Sequence, residues 1–415
     1  MTVRIDPASL DLAAILPRGA RIVSGHACGE PLTLLEALVA QRADLGRPSL
    51  FLASSFSGTL QAAHLDHLTV SSMGALGTLK ALGPGLQVVP CLDSAIPRYI
   101  EEGLIGCDVA FVQVSPADEA GRHSYGIIND FQQSAVAKAR IVVAEVNAQV
   151  PRTDTGAFLG ADRIDYLVAT DRPLVEVPAG PVGAEDRTIA ALVARYIEDG
   201  STLQTGIGSI PDAVAQLCTD RRDLGIHSGM IGDSIGALIR AGIVTNARKP
   251  VDTGRSITGA LMGTRPLYDL AADTSLVGLR PWDYVKGDVL GRIPKLVSIN
   301  SAIEVDLTGQ VNGEVLAGTY VGAVGGQPDF VRAGHRSPGG RSIIALRASA
   351  MRGSLSRICA ALSGPVTTSR ADVDVVITEF GAAELRGQPL EERRRRMIAI
   401  AHPAHRDALE ASLRA

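Results

Sequence analysis

Short apolar runs dense in Val and Ile, separated by stretches of helical periodicity, constrain this chain more than any other feature of it. RIVSG (21–25), QVVPCL (87–92), DVAFVQV (108–114), RIVVAEV (140–146), LVSIN (296–300), SIIAL (342–346) and DVVIT (374–378) read as strands covered on both faces. Between them, residues 31–43, 94–104, 187–199 and 232–241 place apolar side chains at helical spacing. Alternation of this kind along the whole chain predicts an α/β fold of mostly parallel sheets covered by helices. Glycine supports it, since 44 glycines with only 4% aromatic residues suit many tight strand-to-helix turns.

At about 150 residues per domain, 415 residues predict two or three domains. DVAFVQVSPADEAGR (108–122) and DVVITEFGAAELRG (374–387) both run Asp, buried strand, acidic loop, Gly, which predicts two similarly built domains in tandem. The Pro-, Gly- and charge-rich stretch 171–187 marks the boundary, giving domains 1–180 and 188–415. With a net charge of −4 and 20% charged residues, nothing points to nucleic acid or an anionic membrane. Cys28, Cys91, Cys107, Cys218 and Cys359 form no CxxC pair or Cys/His cluster, which speaks against a metal site and for a reduced, cytoplasmic setting. The N-terminal stretch has no basic-then-apolar pattern, and no apolar run reaches the roughly 18 residues of a membrane helix. The run Arg393–Arg396 reads as the solvated face of a helix.

Four stretches are able to carry chemistry. In LQTGIGSIPDAVAQL (203–217) a strand enters Gly206, Ile207 and Gly208, then a helix capped at Ser209 or Ile210. Free amides at such a helix start suit a phosphate or the oxyanion of a thioester under attack, although from the glycines alone an ordinary βα turn is the simpler reading. In DLGIHSGMIGDSIGALIRAGIV (223–244) a short strand LGIHS and an N-cap at Asp233 place His227, Ser228 and Gly229 where strand gives way to helix, the usual ligand crevice of α/β sheets. His227 is there equally well a structural histidine or a catalyst. INSAIEVDLTGQVNGE (299–314) brings Asn300 to a strand end. The glycine loop GAVGGQPDF (322–330) is able to wrap closely around a pantetheine chain through Gly322, Gly325, Gly326, Gln327 and Asp329. In the fourth stretch, ITEFGAAELRG (377–387) followed by IAIAHPAHRDAL (398–409), Glu379 stands at a strand end, where it equally well caps a helix.

Taken in order, these segments resemble the acetyl-CoA hydrolase/transferase family, which includes 4-hydroxybutyrate and succinyl-CoA:acetate CoA-transferases. The resemblance runs through SPADEAGRHSYG, AEVNAQVPRT, LQTGIGSIPDAV, DLGIHSGM, INSAIEVDLTGQV, GGQPDF, TEFGAAELRG and IAHPAHRDAL, nearly the whole chain. It implies two tandem NagB/RpiA-like CoA-transferase domains, an active site built mostly by the second, and usually a homodimer. It also implies coenzyme A thioesters as substrates, a small carboxylate, water or another nucleophile as acceptor, and no permanently bound cofactor. In such enzymes a glutamate attacks the acyl-CoA carbonyl and passes through an anhydride to a glutamyl thioester. The family pattern puts that glutamate directly after the His-Ser of HSGM, and here the position is Gly229. Gly206 to Ser209 match the oxyanion turn, and Asn300, Gly325-Gly326 and Glu379 match pocket positions.

The resemblance with this one departure leads to an expectation: a thioester site that works without a glutamyl-CoA intermediate, by direct attack of water or a second substrate. His227 is the first choice of base, with Glu379 and Asp233 as others. Two rivals remain: a CoA-transferase using Glu379 or Glu304 as its carboxylate, and a binding protein or an enzyme recruited to another reaction. Glu304, between Ile303 and Val305, reads equally as a strand's solvent-side residue.

Overall fold

A computed structural model describes residues 2–414. The chain forms two compact units, one of the residues up to Pro178 plus Ile257–Val285, the other of Ala179–Ser256 plus the residues from Lys286.

The first unit holds an eight-stranded sheet in the order Val3–Ile5, Tyr166–Thr170, Ile141–Asn147, Val109–Val114, Arg21–Ser24, Ser49–Phe51, Thr69–Ser72, Gln87–Val88. Every neighbouring pair is parallel. Central Val109–Val114 is buried at all six positions, which is why its sequence is a nearly unbroken apolar run. Its one polar residue, Gln113, accepts from Asn147 Nδ2 at 2.9 Å. The expected strand 87–92 is cut to Gln87–Val88, because Pro90 has no N–H for a ladder. Residues 257–285 join this unit through backbone bonds such as Asn129 N–H to Gly259 O (2.8 Å) and Leu279 N–H to Asp154 O (2.8 Å).

In the second unit, strands Gly225–Ile231, Thr202–Thr205, Leu296–Asn300, Arg341–Ala345 and Val375–Thr378 lie side by side in that order and parallel. Gly381–Glu384 adds an antiparallel edge. The resemblance between 108–122 and 374–387 therefore ends after the strand: the second copy turns back as a hairpin, while Arg122–His123 pairs with Leu159–Gly160. Val305, Leu307, Val331, Ile344, Val376, Leu385 and Met397 form one core, each such side chain contributing about 1.5–3 kcal/mol by leaving water. The arginine run lies on helix Leu390–Ile400 and is not a uniformly solvated face. Arg395 pairs with Glu392, but Arg393 donates to the carbonyls of Thr308 (3.1 Å) and Arg370 (2.7 Å).

Both sheets change direction once. In the first, the chain steps outward from Arg21–Ser24 and then returns to its other side with Val109–Val114. In the second it steps from Thr202–Thr205 to Gly225–Ile231 and returns on the far side with Leu296–Asn300. Loops beyond the carboxyl ends of the strands part at such points and leave a crevice for ligands.

Candidate active site

At the switch point of the second unit lies a cavity of about 250 Å³, lined by residues 206–211, Ile299, Asn300, Ser301 and Ala345. Gly206, Ile207, Gly208, Ser209 and Asn300, expected to act together, are therefore brought together. The helix that opens the cavity, Ser209–Leu217, is capped by Gly208 rather than by Ser209 or Ile210. Gly208 has φ +128°, a conformation a side chain disfavours, and it lets the chain turn straight from strand into helix. Ser209 and Ile210, whose N–H groups start the helix and have no partner inside it, line the cavity, with the positive end of the helix dipole behind them.

Asn300 is oriented by two residues the sequence reading passed over. Its Nδ2 donates to Gln204 Oε1 (3.1 Å) and Ser298 Oγ (2.8 Å), and Ser298 Oγ donates to Gln204 Oε1 (2.8 Å). The signal was present: Ser298 and Asn300 alternate in LVSIN, so they share a face of one strand. Under the turn sits buried Asp186, which accepts from Arg347 Nε (2.9 Å), Arg347 Nη2 (2.7 Å) and Gly183 N–H (2.9 Å). Arg347 above all, with a further bond from Ser209, holds its carboxyl below the usual range. Glu379 accepts from Ala348 N–H at 2.8 Å and feels the charges of Arg347 and Arg357. Glu304 is likewise committed, accepting from Asn312 Nδ2 (2.9 Å) and from Ser363 N–H (2.7 Å) and Oγ (2.8 Å).

The segment around Gly229 differs from expectation. The strand does not stop at His227 but runs from Gly225 to Ile231, and the helix cap is Gly232, with Asp233 the first helical residue. The β-branched and apolar residues on both sides of HSG carry the ladder through it. Thr202 pairs with Gly225 and Leu203 with Ile226. Beyond these pairs, Ser228 Oγ donates to Thr205 O at 2.9 Å. His227 is fully buried within the strand. Gly229 is also buried, and a Cβ there would stand 3.2 Å from Lys286 Cε, 3.5 Å from Lys286 Nζ and 3.5 Å from Phe330 Cε2. Lys286, itself buried, is a further residue the sequence reading did not single out.

Phe330 belongs to helix Gln327–Arg336, which the glycine loop feeds and which carries Asp329 in its first turn. Gln327 Nε2 donates to Ser301 O at 2.7 Å, holding the end of the loop against the cavity-lining strand end. A Cβ at Gly322 would come within 2.1 Å of Gly313 O, so the loop there admits no side chain.

Family comparison fits this geometry. The acetyl-CoA hydrolase/transferase N-terminal domain matches residues 8–178 and the C-terminal domain of the same family matches residues 263–413. The chain belongs to the acetyl-CoA hydrolase/transferase family. It is 38% identical to the 4-hydroxybutyrate coenzyme A transferase of Clostridium kluyveri over 94% of this chain and 92% of that protein. It is 33% identical to the succinyl-CoA:cyclohexane-1-carboxylate CoA transferase of Geobacter metallireducens, over 98% and 94%. Among solved structures, RipA from Yersinia pestis superposes with a TM-score of 0.93 at 33% identity, covering 99% of this chain and 97% of that one. The expected α/β fold with large parallel sheets and the expected enzyme family both hold. No helix among the described residues is long and apolar enough to cross a membrane.

Proposed function

We propose that this protein is an acyl-CoA hydrolase or acyltransferase that acts on a thioester without forming a glutamyl-CoA intermediate. The observation that carries this reading is that the residue after Ser228, whose Oγ bonds Thr205 O just ahead of the cavity-lining turn, is a buried glycine, Gly229. A nucleophilic carboxylate is wanted there, and Gly229 has no side chain at all.

What surrounds the position supports retention of thioester chemistry. The acyl carbonyl would face the first-turn N–H groups of helix Ser209–Leu217, which stabilise a tetrahedral oxyanion, while Asn300 holds the acyl group. CoA would lie along the glycine loop, 322–326, with Gln327 and Asp329 at the helix start. An acceptor carboxylate is already ionised and needs no base, whereas water needs one; His227, Asp233 and Glu379 remain the candidates. Glu379 is the weakest, since its carboxylate is already engaged by Ala348 N–H at 2.8 Å. For the same reason neither Glu379 nor Glu304 is a ready substitute nucleophile, because each would have to shed its bonds to attack. The substrates proposed are an acyl-CoA with water, a small carboxylate or another nucleophile; the working assembly proposed is a homodimer in the cytoplasm, with domains spanning 1–180 and 188–415 except that residues 257–285 fold with the first.

The test is intact-protein mass after incubation with acetyl-, butyryl- or succinyl-CoA, followed by borohydride. No CoA-sized adduct on any glutamate is expected, together with measurable thioester loss. A CoA-sized increase mapped to Glu379 or Glu304 overturns the reading and makes the protein an ordinary carboxylate CoA-transferase.

A further inference from the structure

At the end of the second unit's sheet away from its switch point lies a larger hollow, of about 680 Å³. Lys295, in its lining, immediately precedes strand Leu296–Asn300, and Arg341, also in the lining, begins strand Arg341–Ala345. Asn300 and Ala345, at the other ends of these strands, line the cavity described above. At about 3.3 Å per residue, roughly 13–17 Å of strand separates the two places.

The lining is charged almost wholly in one sense. Arg195, Lys295, Arg336, Arg341 and Arg386 contribute to it, against the single carboxylate of Glu198. Two of these cations are matched. Lys295 Nζ pairs with Glu198 at 2.7 Å, and Arg341 Nε pairs with Asp374 at 3.0 Å while its guanidinium lies 5.0 Å over the Tyr196 ring. Arg195 and Arg336 form no ion pair among the described residues, and Arg386 reaches only the His335 carbonyl, at 3.5 Å. The negative end of helix Gln327–Arg336 sets about half a charge against them, too little for balance. The adjoining hollow, which shares Lys295, is different: Asp199 and Asp223 there offset Arg222 and Arg248. The positive excess is thus confined to one concave place, in a chain whose net charge is −4. Like charges gathered without counter-charge repel one another, and an anion that enters relieves the repulsion. His335, in the same lining, has Nε2 buried without a hydrogen-bond partner, which leaves an unmet polar group beside the cations.

We propose that this hollow binds a small anion carrying two or more phosphate groups. One phosphate brings at most about two negative charges, fewer than the unpaired guanidinium groups of Arg195, Arg336 and Arg386 answer to. A guanidinium fork takes phosphate oxygens two at a time, which suits a chain of phosphates laid across several arginines. The volume is that of a small-molecule site. Since the lining presents cations rather than groups that read a base, the phosphate chain itself is what it recognises. The site shares no residue with the thioester cavity, so it stands or falls separately from the function proposed above.

The experiment is calorimetry on the full chain at low ionic strength, with sodium tripolyphosphate and with ATP as probes and no magnesium. Binding of both at one site per chain is expected, weakening as salt is raised. Arg195→Ala and Arg336→Ala, which remove exposed side chains, should each weaken binding at least about tenfold with an unchanged melting temperature. Arg222→Ala, in the charge-balanced hollow, should bind as wild type does. Markedly tighter binding of ATP identifies a nucleotide as the source of the phosphate chain, and equal affinities identify a free polyphosphate; both uphold the site. No heat from either probe overturns the proposal. So does heat that survives the double variant Arg195→Ala, Arg336→Ala, or heat that Gly325→Trp abolishes, since the anion would then occupy the proposed CoA loop.

Discussion

Gly229→Glu places a carboxylate at the position that the proposed function leaves without one. The structure sets its cost. Gly229 lies within an extended strand and is absent from the residues with positive φ, so no left-handed strain of about 1–2 kcal/mol arises. The new Cβ would be crowded only by Lys286 Cε at 3.2 Å, with Phe330 Cε2 at ordinary contact, 3.5 Å. A lysine stem yields a few tenths of an ångström easily. Overpacking of this kind costs roughly 1–3 kcal/mol, partly offset by replacing a strand glycine, which gains about 0.5–1 kcal/mol. The carboxylate would also stand within reach of the Lys286 ammonium, an attraction that favours its ionised, nucleophilic form. The variant should therefore fold with a stability change of no more than about 2 kcal/mol.

Because Ser228 bonds Thr205 O just ahead of the cavity-lining turn, proximity of residue 229 should then confer CoA exchange between an acyl-CoA and a free carboxylate, at least about tenfold above wild type. The assay follows labelled acetate into acetyl-CoA and looks for a CoA-sized mass on residue 229. Gly229→Gln, matched in shape but not a nucleophile, should show neither. If Gly229→Glu folds, binds acyl-CoA like wild type and gives neither exchange nor adduct, the argument from proximity is refuted.

Gly325 has φ +59° and faces open space, so Gly325→Trp should cost about 1–2 kcal/mol in backbone strain yet leave the fold intact while abolishing acyl-CoA binding; unchanged binding heat in calorimetry would remove the loop from the CoA site. Asp108 bonds Arg21 and Arg140, which hold its carboxyl down at about 2 against an ordinary 3.8. A depressed carboxyl contributes stability that is full above about pH 4 and fades as pH falls toward 2, so Asp108→Asn should lower the melting temperature at pH 6 and lose that difference near pH 2, by thermal melts across the range.

Much of this protein follows from its sequence alone. Apolar runs such as VAFVQV and LVSIN announce buried parallel strands, because a strand covered on both faces has no solvent side to mark with polar residues. The glycines of GIG and the proline after them announce a strand-to-helix turn, which local backbone preference decides. Other features depended on partners distant in the chain. His227 and Gly229 looked like strand-end residues, and only the structure showed that the strand runs on to Ile231, with Ser228 Oγ bonded to Thr205 O. Lys286 and Phe330 surround that glycine from 57 and 101 positions away (286 − 229 and 330 − 229), and no local pattern records such an approach. Glu379 and Glu304 were both candidates on paper, Glu304 the less clear one, since a carboxylate's reactivity depends on which donors the fold brings to it, and Ala348, Asn312 and Ser363 arrive by tertiary packing. Residues 257–285 fold with the first unit although the second unit's residues flank them in sequence. Local preference and periodicity decide strands, turns and helices; which side chains meet at a crevice is decided by the crossovers between them.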